Sequence, residues 1–268
     1  MRTLVHLSDL HFGSVDPALI EPLLAAVAAA GADVVAVSGD LTQRARKKQF
    51  EQARDFLARI AAPRIVVPGN HDVPLYRVWE RFLSPLGKYQ RIVQSDLEPS
   101  YVDGEIAVLG INTARALTFK GGRINKEQMA SIERRLKPLG DAVTKVVVTH
   151  HPFDVPDESG DVDLVGRAKK AMAVFSDCGV DLLLSGHFHV SQSGETRRDA
   201  IPGYSALAVQ AGTATSTRGR GEENSFNVVR IQKSEIVVER RAFDRDARAF
   251  RPAGSERFVR EGERWVER

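Results

Sequence analysis

The chain has 268 residues, 43% of them hydrophobic, enough to bury a large core in one sizeable domain. Its net charge of +3 admits an anionic ligand without requiring a nucleic acid, and its single cysteine, Cys178, excludes an internal disulfide and a thiolate zinc site. No apolar run approaches the roughly 20 residues of a membrane span, and Met1 leads directly into a strand pattern with no signal sequence, so a cytoplasmic protein without a transmembrane segment is expected.

In chain order, residues 3–7, 33–37, 64–67, 105–111, 145–149 and 180–184 read as strands, most of them continuous apolar runs of the kind buried on both faces of a sheet. Helical patterns alternate with them. Asp16 and Pro17 supply an N-cap and a first-turn proline for Leu19, Leu23 and Val27, with Gly31 as the stop and Pro22 able to move the start later. Phe50, Ala53, Leu57 and Ile60 form a second stripe, and Met129, Ile132 and Leu136 a third. After His189 the pattern becomes strands alone, over 191–196, 206–211, 225–232 and 234–242. This predicts an α/β fold of two packed sheets covered by helices. Residues 1–243 are expected to form the folded domain. Residues 244–268, Arg/Glu-rich apart from Phe250, Phe258 and Trp265, read as a loose tail or a short covering element.

Five strand ends open into polar clusters: Asp9-Leu10-His11, Gly39-Asp40, Gly69-Asn70-His71-Asp72, His150-His151 and Gly186-His187-Phe188-His189. Six of the seven histidines stand at these points, beyond the carboxyl ends of strands where ligands gather in open sheets. Any one cluster is ordinary turn chemistry; five in succession point to a metal site. Carboxylate, imidazole and amide oxygen suit divalent Mn, Fe, Co or Zn. Seven ligands are too many for one ion, and two ions sharing Asp40 would each keep the open positions that catalysis needs.

The order D-x-H, GD, GNH, H, GHxH resembles the calcineurin-like metallophosphoesterase superfamily over essentially the whole chain. That resemblance implies a four-layer α-β-β-α sandwich of two mixed β-sheets flanked by helices. It also implies two divalent metal ions, one on Asp9, His11 and His189, the other on Asn70, His150 and His187, with Asp40 bridging. His71 would then assist the leaving group while a metal-bridging hydroxide attacks phosphorus. Asp72 is read as the carboxylate orienting His71, or alternatively as a turn cap before Pro74. His151 is a neighbour of open role, and His6 a packed histidine without chemistry.

SDLHFG, SGDLTQR, VPGNHDVP, GINT, THHPF, SGHFH and AGTATSTR resemble bacterial class III cyclic-nucleotide phosphodiesterases most closely. The implied activity is metal-dependent hydrolysis of a phosphodiester, 3',5'-cAMP or a related small diester. Rival readings are a nuclease, a nucleotide-sugar or lipid pyrophosphatase on the same centre, and a non-enzymatic metal- or nucleic-acid-binding module. Candidate substrate contacts are Arg44, Asn112, Arg115 and the loop 215–218, with Arg44 also readable as the start of a solvated basic run through Lys48. The partner is a small phosphodiester rather than nucleic acid, and a homodimer is compatible with the sequence.

Overall fold

The computed structural model describes residues 1–155, 164–196, 201, 203–217 and 221–268. Its elements run β1 (Arg2–Leu7), α1 (Ile20–Ala29), β2 (Val34–Ser38), α2 (Lys47–Ala58), β3 (Arg64–Val67), α3 (Val78–Leu83), α4 (Gly87–Ile92), β4 (Ser100–Val102), β5 (Ile106–Gly110) and α5 (Lys126–Leu136). They continue through β6 (Thr144–Val148), α6 (Ala168–Cys178), β7 (Leu182–Ser185), β8 (Gln192–Glu195), β9 (Leu207–Gln210), β10 (Ser225–Gln232), β11 (Glu235–Asp244), β12 (Ala249–Glu261) and β13 (Arg264–Glu267). A 3₁₀ turn, Pro17–Leu19, capped by the Asp16 carboxylate, precedes α1, and Pro22 falls inside the first turn of α1, where its missing N–H costs nothing.

Two sheets result, with strand orders β13-β12-β11-β10-β1-β2-β3 and β4-β5-β6-β7-β9-β8. β1, β2 and β3 are parallel, as are β5, β6, β7 and β9, while the later strands add antiparallel partners. The period-2 alternation of strands sorts the core into layers. Leu4, Val34, Ala36 and Val67 face Val108, Val146, Leu184 and Val209 between the sheets. On the outer faces, Val5, Val35 and Val37 pack against Leu23, Phe50 and Leu57 of α1 and α2, and Ala107, Leu109 and Val147 against Met129, Ile132, Met172 and Phe175 of α5 and α6. The expected α-β-β-α sandwich is what forms.

One expectation changes. The segment read as a tail supplies β12 and β13, the outermost strands of the seven-stranded sheet, and buries Phe250, Phe258 and Trp265. Backbone pairing holds it together with these three side chains: residues 251–255 are exposed, yet β12 pairs with β11 from Ala249 to Val259. Its register shifts at Arg240/Arg241, next to the pair Arg241↔Pro252, where proline has no N–H to donate. Ion pairs from Arg260 to Asp181 and from Arg264 to Glu195 tie this hairpin to the second sheet.

Candidate metal centre

The five predicted clusters converge at one end of the facing sheets, and the turns that bring them there are strained. Asp9, His11, Asp40, His187 and His189 all have positive φ, between 48° and 77°, a left-handed conformation that is uncommon for residues with a Cβ and concentrates at functional sites. The motif glycines are explained by crowding. A Cβ on Gly69 would lie 2.1 Å from Asp40 Oδ1, one on Gly186 1.8 Å from Ser8 Oγ, and one on Gly39 2.7 Å from the His150 side chain.

Ligand atoms point inward in two overlapping sets. In the first, Asp9 Oδ1 is 3.4 Å from His11 Nε2 and 3.1 Å from His189 Nε2, and the two nitrogens are 3.2 Å apart. In the second, His150 Nε2 is 3.1 Å from Asn70 Oδ1 and 3.3 Å from Asp40 Oδ2, with the His187 ring 5.1 Å from that of His150 between centroids. Asp40 Oδ2 also lies 3.8 Å from His11 Nε2, so this oxygen stands between the sets. Atoms bonded at about 2.1 Å to one ion, at tetrahedral to octahedral angles, are about 3.0–3.4 Å apart. The separations among Asp9, His11 and His189, and those of His150 from Asn70 and Asp40, fit that spacing.

The supporting bonds fit a cation as well. Asp9 Oδ2 accepts from Ser8 Oγ and the His187 N–H, whereas Asp9 Oδ1 is buried and receives no hydrogen bond. The His71 N–H holds Asp40 Oδ1, leaving Oδ2 for the centre. His150 donates Nδ1–H to the Ser38 carbonyl at 2.8 Å, which aims the Nε2 lone pair inward. Two carboxylates are thus almost fully buried, an arrangement that requires compensating positive charge. Burial alone would raise their pKa values, but the neighbouring imidazoles, His11 and His189 beside Asp9 and His150 beside Asp40, hold both carboxyls below the usual carboxylate range. His150 moves the other way: burial opposes its charge, yet Asp40 raises it to about 9. Burial and then the charge on His150 bring His187 down to about 4.

The residues around the two sets sort differently from the sequence expectations. His71 is beside the centre, its ring edge-on to His11 at 5.0 Å, but its Nδ1–H is donated to the Gln43 carbonyl at 3.0 Å. Asp72 does not take the orienting role. Its buried carboxylate accepts from the N–H groups of Leu41, Thr42 and Gly69 and from Thr42 Oγ1, clamping the loop after β2 to the loop after β3. The turn-capping alternative therefore describes it. Burial and the nearby Asp40 charge raise its pKa to about 6 against those hydrogen bonds.

His151, in reach of His150 and His187, has both ring nitrogens engaged, Nδ1 by the Thr113 hydroxyl and Nε2 by the Lys120 carbonyl. His6 is a packed residue bonded to Ser38 Oγ, as expected.

Asn112 and Arg115 also change role. Asn112 Oδ1 caps the Ala114 N–H, and Arg115 is turned onto the Asn112 and Ala114 carbonyls and Gln128 Oε1, bracing the loop after β5. Thr215 is buried and donates to the Leu10 carbonyl, as Thr213 does to that of Asp9, so both buttress the first ligand loop; Arg218 lies outside the described residues. The Arg44 guanidinium rests over the Tyr76 ring, 5.9 Å from its centroid. Sequence reasoning missed the Gln43 and Ser38 carbonyls, since a backbone acceptor carries no residue-type signal, and the Thr213 hydroxyl, since its partner is the Asp9 carbonyl.

Comparison with known proteins agrees with this geometry. The family model described as calcineurin-like phosphoesterase matches residues 2–191. A glycerophosphodiester phosphodiesterase of Enterobacter lignolyticus is 28% identical over 56% of this chain and 57% of its own length. A Synechococcus protein named "Probable cyclic nucleotide phosphodiesterase" is 25% identical over 45% of this chain and 42% of its own. The chain thus spans about half the length of these relatives. A dimetal phosphatase from Danio rerio shares the fold with TM-score 0.65 at 13% identity, covering 90% of this chain and 96% of that one. A yellow lupin purple acid phosphatase does so with TM-score 0.70 at 14% identity, covering 97% and 54%.

Proposed function

From the premise that the chain belongs to the calcineurin-like phosphoesterase family, we infer that it is a dinuclear-metal-dependent phosphodiesterase acting on a small diester. The observation that supports this reading is Asp40 Oδ2, which stands between the Asp9–His11–His189 set and the Asn70–His150 set, 3.8 Å from His11 Nε2 and 3.3 Å from His150 Nε2. Asp9, His11 and His189 would hold one cation, Asn70, His150 and His187 the other, and Asp40 both. When bound, such a pair supplies hydroxide at neutral pH and neutralises phosphoryl charge.

The chain's own part is positioning and proton handling. With Nδ1–H committed to the Gln43 carbonyl, Nε2 is the His71 nitrogen that gains or gives up the titrating proton, and in the imidazolium form it donates to the departing alkoxide oxygen. The clamp by Asp72 fixes His71 and Asn70 relative to Asp40, the preorganisation that positioning catalysis requires.

The curated relatives' names favour two substrate classes, glycerophosphodiesters and cyclic nucleotides, and the wording of the outer motifs favours 3',5'-cyclic nucleotides. The test is a panel of cyclic mononucleotides, glycerophosphodiesters, an aryl diester and nucleic acid on protein reconstituted with Mn, Fe, Co or Zn. Turnover of a small diester, reduced by at least about 10³-fold in Asp40→Ala with loss of bound metal, is the expected result. No turnover with any of these metals would reject it.

A further inference from the structure

Most of the exposed large apolar side chains among the described residues fall in two short segments. Tyr76, Val78, Trp79, Phe82 and Leu83 follow the His71 turn, and Leu117 and Phe119 follow β5; their exposures run from 51% to 81%. Arg81 joins the segments, donating to the carbonyls of Pro74, Ala116 and Thr118 with its guanidinium 4.3 Å from the Phe119 ring centroid. The shoulder so formed adjoins the metal centre. Arg44, one residue past Gln43, stacks on Tyr76, and Lys120, next to Phe119, carries the carbonyl that receives His151.

The uncompensated charge around this shoulder is positive. Arg44, Arg46, Lys48 and Lys120 have no carboxylate within 4 Å among the described residues, and the acid on α3, Glu80, is already shared by Arg77 and Lys88. A contiguous exposed apolar patch marks an interaction surface. Tyr, Trp and Leu rimmed by Arg and Lys is the composition that settles into the headgroup region of an anionic bilayer. A two-fold contact between copies would instead bring the same cationic rim against itself, which disfavours a second copy of this chain. No helix among the described residues is long and apolar enough to cross a membrane, so the contact would be peripheral.

We propose that the shoulder of residues 74–83 and 115–120 docks the protein on anionic phospholipid surfaces, presenting the mouth of the metal centre to the headgroup layer. Docking uses none of the metal ligands and stands or falls apart from the diesterase reading.

The test is partition of the metal-free full chain onto vesicles of phosphatidylglycerol with phosphatidylcholine, against phosphatidylcholine alone. Trp79, 80% exposed, is the fluorescence reporter, and Trp265, 2% exposed, is the silent control. Expected are a blue shift and at least about tenfold stronger partition onto the anionic vesicles, weakened by salt. Trp79→Ser with Leu83→Ser, and separately Arg46→Glu with Lys48→Glu, should each reduce partition about tenfold while leaving the unfolding midpoint in place. Equal partition onto neutral vesicles, or none onto either, overturns the proposal. So does a stable dimer by sedimentation whose Trp79 is shielded from a collisional quencher before lipid is added, which would assign the face to a second copy.

Discussion

The ligand loops and the apolar shoulder are neighbours built on opposite rules. In the loops, polar side chains are buried, the backbone is held at positive φ, and glycines are required because another loop occupies the space of a Cβ. On the shoulder, large apolar side chains stand in solvent and the backbone is held by one arginine reaching three carbonyls. The difference is one of tolerance. A group that must sit within about half an ångström of its working position needs supporting contacts on every side, whereas a surface that meets a soft partner needs only area and charge. Substitutions should therefore be costly in the first region and cheap in the second.

Outside the candidate metal ligands, the largest effect is expected at His71. His71→Ala should lower kcat by about 10²–10³-fold with little change in KM or bound metal, measured by steady-state kinetics and metal analysis. A comparable loss of metal would show that the ring supports the ligands rather than the leaving group. Asp72→Ala comes next: it strands three N–H donors and a hydroxyl in a buried site and should cost about 3 kcal/mol in denaturant unfolding of the metal-free protein. Because the clamp spans the loops of Asp40 and Asn70, metal affinity should fall with it.

A smaller effect tests burial by pH. Burial lowers the His6 pKa to about 3 from 6.5, with the charge on Asp9 opposing. As pH falls below 6.5 the unfolded chain takes up a proton that the folded state refuses, so this contribution is complete above 6.5 and drains between 6.5 and 3. Metal-free wild type should lose about 1.4 kcal/mol more per pH unit than His6→Gln across pH 5.5 to 4.5, a slope that denaturant titrations measure. The smallest effect belongs to the shoulder. Trp79→Ser should change unfolding free energy by less than about 0.5 kcal/mol and leave turnover of a small soluble diester intact; a larger loss of stability would make that surface part of the core.

How much could be read from the residues alone follows the same divide. The parallel strands were legible because runs such as Val34–Ser38 are apolar on both faces and stop at glycine, and their polar ends announced the candidate ligands in order. The six-residue helices α3 and α4 are too short to show a period, and the three residues of β4 too few to show alternation. β12 carries its buried side chains at Phe250 and Phe258 with exposed residues between, so its hydrogen-bonded ladder has no counterpart in hydropathy. Asp72 misled for a related reason. A carboxylate next to a candidate catalytic histidine invites pairing, but three backbone N–H groups without residue identity claimed it first.

β1 lies between β2, which follows it closely in the chain, and β10, which comes only after β9. During synthesis on the ribosome β1 therefore keeps an unpaired backbone edge until Ser225–Gln232 has emerged, a long-range closure of the kind that slows folding and leaves intermediates open to association. The hydroxyls of Thr213 and Thr215, which brace the turn carrying Asp9 and His11, arrive in that same late stretch. Ion uptake should accordingly be among the last events in maturation, trailing the assembly of both sheets.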